Sequence, residues 1–262
     1  MRFQKYSVEI LLTTLILVNF FFISLILIPA LPSKNDENNP FWVYHTGAGI
    51  DSTSSLLDVN NNGYTDVLVG SIDGVLYCIE GKKGTVLWDF NIRKYYYNSE
   101  ILMRPLIANI DNNGTFEVII GTRDGSIYVL SSVDGSLIWR FNYEEGGSIS
   151  IEGGLSITDI DNDQDNDIIV TTTYGLLYVL DGKDGTLLWE NKLFFMKSFF
   201  TSSSLGDINH DGISDIIVGC GQSIFAFNGY NGSKILEFET NFFVTAPAAI
   251  GDVDGDSTLE II

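Results

Sequence analysis

Oxygen-bearing side chains recur at alternate positions in five nine-residue segments, which we number acidic loops 1 to 5. The loops occupy residues 58–66, 109–117, 159–167, 207–215 and 252–260. Every loop carries Asp, Asn or Glu at positions 1, 3, 5 and 9. Oxygen ligands alone, spaced in this way on a tight turn, suit a hard cation, and Ca²⁺ takes about six to eight oxygens in flexible geometry. The pattern therefore predicts calcium loops.

The candidate side-chain ligands fall at the same four positions of each loop. They are Asp58, Asn60, Asn62 and Asp66; Asn109, Asp111, Asn113 and Glu117; Asp159, Asp161, Asp163 and Asp167; Asp207, Asn209, Asp211 and Asp215; and Asp252, Asp254, Asp256 and Glu260. Two unit charges about 4 Å apart repel by about 1 kcal/mol in water and by about 4 kcal/mol at an effective dielectric of about 20. Several carboxylates in one loop are therefore costly without a cation, and we expect structural Ca²⁺ whose removal loosens the fold.

The alternative interpretation is a set of Asx-rich turns, because Asp, Asn and Gly are the usual turn-forming residues. Five copies in one register favour the metal. Loop 4 matches the pattern most fully, with Gly212 at position 6, whereas loops 3 and 5 carry Gln164 and Ser257 there. Loops 1 and 2 have two acids each among their four ligands, which predicts weak or empty sites. Zn²⁺ is disfavoured because no Cys or pair of His joins any loop, and Mg²⁺ because it demands near-octahedral geometry.

The sequence offers no recognisable catalytic constellation. It contains no Ser-His-Asp set, Cys-His pair, His-Glu-x-x-His motif or phosphate-binding glycine loop. Only two histidines occur, His45 and His210, and His210 falls at position 4 of loop 4, where we expect a solvent-facing side chain. Carboxylate catalysis stays open, but the loops already account for the placement of many acids. A binding protein is therefore favoured over an enzyme.

The acidic loops open a repeat that occurs four times in full and a fifth time in part. Their starts are 51, 50, 48 and 45 residues apart. A β-branched run, a turn such as Asp73-Gly74, two further short strands and a second Gly turn follow, and the last strand carries a Trp, or Leu236 in the fourth copy. Asp-Gly between strands predicts type I′ hairpins, in which both central residues have positive φ. The repeat predicts an all-β fold, a β-propeller of four-stranded blades, with each Trp packed between neighbouring blades.

The two halves of the repeat resemble two known repeat families. The Asp-Gly-x-Leu-Tyr-x-Leu…Gly-x-Leu-x-Trp half is similar to the PQQ-like, quinoprotein-type propeller repeat, and the Asp-x-Asp-x-Asp-Gly-x-x-Asp half resembles the FG-GAP (integrin α-like, VCBS-like) repeat. The resemblance covers residues 41–262 and implies a propeller. It also implies a calcium ligand from the backbone carbonyl at loop position 7, here Tyr64, Thr115, Asp165, Ile213 and Thr258. PQQ is a cofactor of some such proteins, but no residue here matches its ligands.

The first thirty residues form a separate segment. Residues 10–28 are almost entirely apolar, and about 20 apolar residues span a bilayer as a helix. Arg2 and Lys5 precede this run and Asp36 and Glu37 follow it, which places the N-terminus in the cytoplasm. We expect a signal anchor over residues 1–31, a linker over 32–40 and an extracytoplasmic propeller over 41–262. The alternative is secretion after signal cleavage, although residues 28–32 form a poor cleavage site.

The charge composition of the chain limits the classes of partner that it can bind. The chain has 34 acidic against 14 basic residues and a net charge of −20, which argues against nucleic acid and anionic lipid headgroups. Sixteen of the 34 acids lie in the acidic loops. The chain is 45% hydrophobic and can bury a core. We expect Cys78 and Cys220 to be buried thiols.

These observations favour a membrane-anchored, calcium-binding propeller that acts as an adhesion module for a protein or glycan ligand. The alternatives are a quinoprotein-like or polysaccharide-processing enzyme, and a scaffold subunit of an envelope assembly complex. The last is weakened because no lipobox Cys lies near the N-terminus. The repeat pattern favours a fragment of a longer propeller, and completion of the last blade by residues 41–44 is the other reading.

Overall fold

The computed structural model describes residues 42–97, 99–143, 149–151, 154–193 and 202–262. Four antiparallel sheets of four strands each follow one another along this part of the chain. These sheets are the predicted propeller blades, and no α-helix occurs among the described residues. A two-stranded hairpin begins a fifth unit.

Each blade is a meander in which every strand pairs with the next one along the chain. Blade 1 contains β1 (Ser55–Leu57), β2 (Asp66–Gly70), β3 (Val75–Ile79) and β4 (Val86–Asn91). Blade 2 contains β5 (Leu106–Ala108), β6 (Glu117–Gly121), β7 (Ser126–Ser131) and β8 (Leu137–Asn142). Blade 3 contains β9 (Gly154–Thr158), β10 (Asp167–Thr171), β11 (Leu176–Leu180) and β12 (Leu187–Lys192). Blade 4 contains β13 (Ser204–Gly206), β14 (Asp215–Cys220), β15 (Ser223–Phe227) and β16 (Lys234–Glu239), and the hairpin contains β17 (Ile250–Gly251) and β18 (Glu260–Ile261).

The second strand of each blade explains why the sequence shows continuous apolar runs. Strands β6, β10 and β14 are buried at every position, so both of their faces need apolar side chains. Three apolar clusters form between successive blades, centred on Leu68 and Val118 for blades 1 and 2, Ile119 and Ile168 for blades 2 and 3, and Ile169 for blades 3 and 4. Burial between sheets is therefore the main source of stability. Cys78 and Cys220 are buried and form no disulfide, as predicted.

The turns between the second and third strands correct one prediction. In the first of them the Gly74 N–H donates to the Ser71 carbonyl (3.0 Å) and the Ser71 N–H to the Val75 carbonyl (3.1 Å). Only Gly74 has positive φ, at 76°, and Asp73 does not. The prediction of type I′ turns was wrong, because the loop contains one residue more: a type I turn is followed by a left-handed Gly that forms a bulge.

The predicted signal anchor (1–31) and linker (32–40) lie outside the described residues. Among the residues that are described, no helix is long and apolar enough to cross a membrane. The only helical element in them is a 3₁₀ turn at Ile92–Lys94, in the connection between blades 1 and 2.

Candidate functional site

The acidic loops occupy equivalent places in the fold. Each joins the first strand of a unit to the second, and loop 5 joins β17 to β18. In a meander the turns between strands 1 and 2 and between strands 3 and 4 lie at the same end of a blade. We call this end the loop face. The turns between strands 2 and 3 and the blade-to-blade connections lie at the other end, the connection face.

All five loops adopt the same backbone conformation. Position 4 has positive φ at Asn61, Asn112, Asn162, His210 and Gly255, and position 6 at Gly63, Gly114, Gln164, Gly212 and Ser257. Gln164 (φ 78°) and Ser257 (φ 72°) therefore take the conformation that Gly adopts in the other loops. The missing glycines do not change the turn. His210 is exposed, as expected.

Position 1 organises the turn through its carboxylate. Asp58 accepts the Asn62 N–H (3.0 Å) through Oδ1 and the Gly63 N–H (2.8 Å) through Oδ2. Asp207 accepts the equivalent pair from Asp211 (3.1 Å) and Gly212 (2.9 Å). These bonds close the loop even where three carboxylates do not converge. They are bonds of the kind found in Asx turns, so the turn-forming role of the position-1 side chain is observed as well.

Positions 5 and 7 interact in the same way in every loop. The position-7 N–H donates to the position-5 side-chain oxygen over 2.7 to 2.9 Å, in the pairs Tyr64–Asn62, Thr115–Asn113, Asp165–Asp163, Ile213–Asp211 and Thr258–Asp256. The side chain of Asp165 is 3.2 Å from Lys183 Nζ, so an ammonium compensates its charge. Because the Asp165 side chain is engaged by Lys183, the atom of Asp165 available to a cation is its backbone carbonyl oxygen, which is the ligand that the family resemblance predicts at position 7.

Two of the five loops bring three carboxylates together. Oxygen atoms of Asp159, Asp161 and Asp167 in loop 3 lie within 4.8 Å of one another, and those of Asp252, Asp254 and Glu260 in loop 5 do the same. Among the described residues these are the only groups of three His, Cys, Asp or Glu side chains that converge in this way. Both groups combine positions 1, 3 and 9, and loops 1, 2 and 4 have an Asn at one of these positions, namely Asn60, Asn109 and Asn209. The geometry thus singles out loops 3 and 5, whereas sequence alone favoured loop 4.

The electrostatics of loop 3 favour the binding of a cation. Burial, with the Asp161 and Asp163 charges, raises the pKa of Asp167 to about 7. Burial and the Asp163 charge also raise the pKa of Asp161. The Asp159 Oδ1 atom is buried and has no hydrogen-bond partner. An unpaired carboxylate oxygen, two neighbouring carboxylates and a nearby backbone carbonyl fit Ca²⁺, which neutralises such a set with hard oxygen ligands.

In blades 1, 3 and 4, position 9 couples the acidic loop to the turn between the third and fourth strands of the same blade. Asp66 Oδ2 accepts the Val59 N–H within the loop, and its Oδ1 accepts the Gly81 N–H in the turn between β3 and β4, both over 3.0 Å. Gly81 is required there because a Cβ atom would stand 1.8 Å from the Thr65 carbonyl oxygen. Gly182 and Gly229 approach Asn166 and Ser214 in the same way. Sequence reasoning overlooked these glycines, although each stands seven residues before the repeated Trp or Leu236.

The repeated Trp joins blades, as predicted. Each indole N–H donates to a backbone carbonyl in the following unit over 2.7 to 3.0 Å, in the pairs Trp42–Gly81, Trp88–Ser132, Trp139–Gly182 and Trp189–Gly229. Each ring also lies against a second Gly with positive φ, namely Gly84, Gly135, Gly185 and Gly232, where a Cβ atom would clash with it. Leu236 cannot donate such a bond. The described residues thus form a chain of near-identical junctions in which an acidic loop and an indole share one turn.

Comparisons with solved structures agree with this fold. BamB from Moraxella catarrhalis is 16% identical, with a TM-score of 0.57 over 80% of this chain and 55% of that one. Quinohemoprotein alcohol dehydrogenase from Comamonas testosteroni is 17% identical, with a TM-score of 0.54 over 66% of this chain and 34% of that one. Sqt1 from Saccharomyces cerevisiae is 12% identical, with a TM-score of 0.64 over 81% of this chain and 56% of that one. At these identities the likeness is one of fold, and the chain spans between 34% and 56% of the length of these proteins.

Sequence comparison identifies the repeat. No curated protein sequence matches the chain significantly. A profile of the family described as "Outer membrane protein assembly factor BamB", of the PQQ-like repeat type, matches residues 59–241. This range holds most of the four blades, including three of the four Trp junctions. The predicted PQQ-like resemblance is confirmed, and the FG-GAP resemblance stays a prediction. The chain therefore belongs to the BamB-type family of PQQ-like propellers.

Proposed function

We propose that this chain is a non-enzymatic, protein-binding propeller that acts as a scaffold outside the cytoplasm, with Ca²⁺ bracing its acidic loops. The observation that supports it best is a set of aromatic side chains on the loops, each more than half exposed: Tyr96, Tyr97, Tyr174, Tyr230, Phe242 and Phe243. Five of the six belong to the connection face, and only Tyr230 belongs to the loop face. Aromatic side chains are enriched at protein interfaces, whereas Tyr128 and Tyr178 on the third strands of blades 2 and 3 are fully buried.

The family supports an assembly role over catalysis. Its description names an outer membrane protein assembly factor, and such a factor works by holding other proteins. In the described part of this chain the buried acids are used structurally: Asp215 and Glu117 accept loop N–H groups from Ile208 (3.0 Å) and Ile110 (2.9 Å). The two converging groups consist of carboxylates alone, the composition of a hard-cation site. A glycan ligand is the alternative occupant of the same aromatic face.

The proposed location rests on the sequence of the N-terminal segment. The apolar run at residues 10–28, flanked by basic residues before it and acidic residues after it, supports a single-pass anchor with the propeller outside. An extracytoplasmic position also exposes the acidic loops to millimolar calcium, at which weak sites are filled.

Calcium would serve structure in this proposal. In loop 3 the carboxylates of Asp159, Asp161 and Asp167 would hold it, and in loop 5 those of Asp252, Asp254 and Glu260. A bound cation contributes positive charge and fixes the spacing of these oxygens. The loop residues in turn hold the neighbouring turn through position 9, so cation binding and blade packing stabilise each other.

The test is purification of the full chain from its own host in mild detergent with calcium, followed by light scattering and mass spectrometry of the eluted complex. A stoichiometric complex with another protein, without a quinone absorption band and without dye-linked alcohol oxidation after addition of PQQ and Ca²⁺, is expected. A chain that elutes alone and oxidises alcohols would overturn the proposal in favour of the quinoprotein alternative. A chain that elutes alone and binds a glycan array saturably would replace the protein partner by a glycan.

A further inference from the structure

The connection between blades 1 and 2 presents three consecutive tyrosines in a fixed arrangement. The Asn91 side chain accepts the Arg93 N–H (2.9 Å) at the start of the 3₁₀ turn. The N–H groups of Tyr95 and Tyr96 then donate to the Ile92 carbonyl over 2.8 and 3.0 Å. Tyr95, Tyr96 and Tyr97 follow with 41%, 52% and 83% of their surface exposed. Hydrogen bonds within the connection thus hold the backbone of Tyr95 and Tyr96, which lowers the entropic cost of binding.

Tyr95 is held by aromatic neighbours from both blades. Its ring lies 5.9 Å from that of Phe90 in blade 1 and 5.7 Å from that of Tyr128 in blade 2. The Arg140 guanidinium of blade 2 lies 5.0 Å from the centre of the Tyr95 ring, in cation–π geometry. A rigid aromatic platform with an arginine beside it therefore fills the groove between the blades.

Arg140 is an exception within the repeat. The residue after the Trp or its substitute is acidic in the other three blades, at Asp89, Glu190 and Glu237. In blade 3 the equivalent Glu190 accepts the Tyr143 hydroxyl proton over 2.6 Å. At the junction between blades 2 and 3, the cation over the tyrosine ring is Lys192, which pairs with Glu190 (3.4 Å). At the junction between blades 1 and 2, Arg140 itself contacts the Tyr95 ring.

Exposed basic residues are concentrated beside the tyrosines. Arg93 and Lys94 are exposed on the same connection. The charge of the nearby Glu100 is compensated by an ion pair with Arg123 (2.7 Å), and the carboxylate of Asp124 is oriented by the hydroxyls of Ser99, Thr122 and Ser126, which donate to it. Asp89 neighbours Phe90 on β4 and so lies on the opposite sheet face. We call residues 93–97 together with Arg140 the tyrosine patch.

We propose that the tyrosine patch binds an acidic segment of a partner protein, with apolar side chains of that segment packed on the tyrosines. Tyr and Arg are the residue types enriched in binding hot spots. The chain carries a net charge of −20, so an acidic segment is repelled by most of its surface. It is attracted by the exposed Arg93 and Lys94 of this connection and by Arg140, which lies on the Tyr95 ring. This inference rests on the proposed scaffold function and names the site and chemistry of the partner.

The experiment uses the full chain in detergent and three fluorescent probes read by anisotropy. The first is a 12-residue peptide of Asp, Glu, Leu and Phe, the second the same peptide with Lys and Arg for the acids, and the third a 12-nucleotide oligothymidine. We expect the acidic peptide to bind and the other two to bind at least about tenfold more weakly. Arg140→Glu restores the acidic residue type of the other blades and should weaken the acidic peptide at least about tenfold, and Tyr97→Ser should have a similar effect.

Lys82→Glu is the matched control. Lys82 lies 4.5 Å from the Tyr64 ring centre, in the same cation–π geometry, but on the loop face. The substitution makes the same change of charge and should leave peptide affinity unchanged. The inference is overturned by equal losses in Lys82→Glu and Arg140→Glu, by preference for the basic peptide or the oligonucleotide, or by no binding of the acidic peptide. If Arg140→Glu and Tyr97→Ser still purify with the native partner in full stoichiometry, the scaffold function stands and the partner binds elsewhere.

Discussion

Asp215 and Trp189 hydrogen-bond to the same residue, Gly229, from the two sides of a blade junction. Asp215 Oδ1 accepts the Gly229 N–H (3.4 Å), while the Trp189 indole donates to the Gly229 carbonyl (2.7 Å). Asp66 and Trp42 hold Gly81 in the same way over 3.0 and 2.7 Å. In both places a single glycine accepts a hydrogen bond from the tryptophan of the preceding unit and donates one to the last residue of the acidic loop. A disturbance of either should reach the other.

Loss of the indole donor should destabilise a junction measurably. Trp139→Phe removes the bond to the Gly182 carbonyl (2.9 Å) and leaves a buried acceptor unpaired. We expect a loss of about 1–3 kcal/mol in the free energy of unfolding, measured by urea denaturation monitored by circular dichroism. Leu236→Ala is the comparison, because this side chain occupies the Trp position with 40% of its surface exposed. An equal loss in both variants would contradict the indole bond as the cause.

The glycine in the shared turn should tolerate no side chain. In Gly182→Ala the new Cβ atom would lie 1.9 Å from the Asn166 carbonyl oxygen. The loop or the turn must then move, and we expect at least about 1–3 kcal/mol of destabilisation in the same urea assay. Gly251→Ala is the control, because no atom lies within 4 Å of its Cβ position. If both substitutions were equally mild, the close approach of loop and turn would be refuted.

Calcium should raise the melting temperature, and loop 3 should contribute strongly. Asp161→Asn removes one of the three converging carboxylates and should lower calcium affinity at that site at least about tenfold, measured by isothermal titration calorimetry. Asp165→Asn serves as the control within the same loop, since that side chain pairs with Lys183 and its backbone carbonyl is retained. An unchanged melting temperature after verified metal removal would reject the structural role of the cation.

Without metal, stability should fall as pH rises from about 4 to about 7. The folded-state pKa of Asp167 is raised to about 7, whereas an unfolded Asp titrates near about 3.9. Between these values the folded protein binds more protons than the unfolded chain, so increasing pH favours unfolding. Burial raises the pKa of Asp215 in the same direction. Urea denaturation in chelator at pH 5 and pH 7.5 checks the trend.

Asp167→Asn provides the control for this pH dependence. The amide cannot ionise, so the slope of unfolding free energy against pH should become shallower over that interval. A wild-type stability that rises across the same interval in chelator would show that ionisation of Asp167 is not costly in the fold.

The blades could be predicted from the sequence because the spacing of the repeats and the turn-forming residues are local features of the chain. Four Trp or Leu positions and five acidic loops in one register were enough to predict strands, order and junctions. Both converging groups combine positions 1, 3 and 9, and loops 3 and 5 alone carry an acid at all three of these positions. That composition can be read from the sequence, but the choice of position 9 over position 5 as the third member of the group comes from the folded loop. The hairpin type was missed for a related reason, since Asp-Gly fits both a two-residue turn and the longer bulged turn that occurs.

The presence of Leu236 in place of a Trp should make the junctions between blades unequal in stability. Each blade contacts only its neighbours, so stability is close to a sum of nearest-neighbour terms, as in one-dimensional repeat proteins. The three junctions between the four blades each have an indole bond, from Trp88, Trp139 and Trp189, whereas Leu236 on β16 has no side-chain N–H to donate. The junction formed through Leu236 should therefore open more readily than the other three, and amide protons of β16 should exchange with solvent faster than those of β4, β8 and β12.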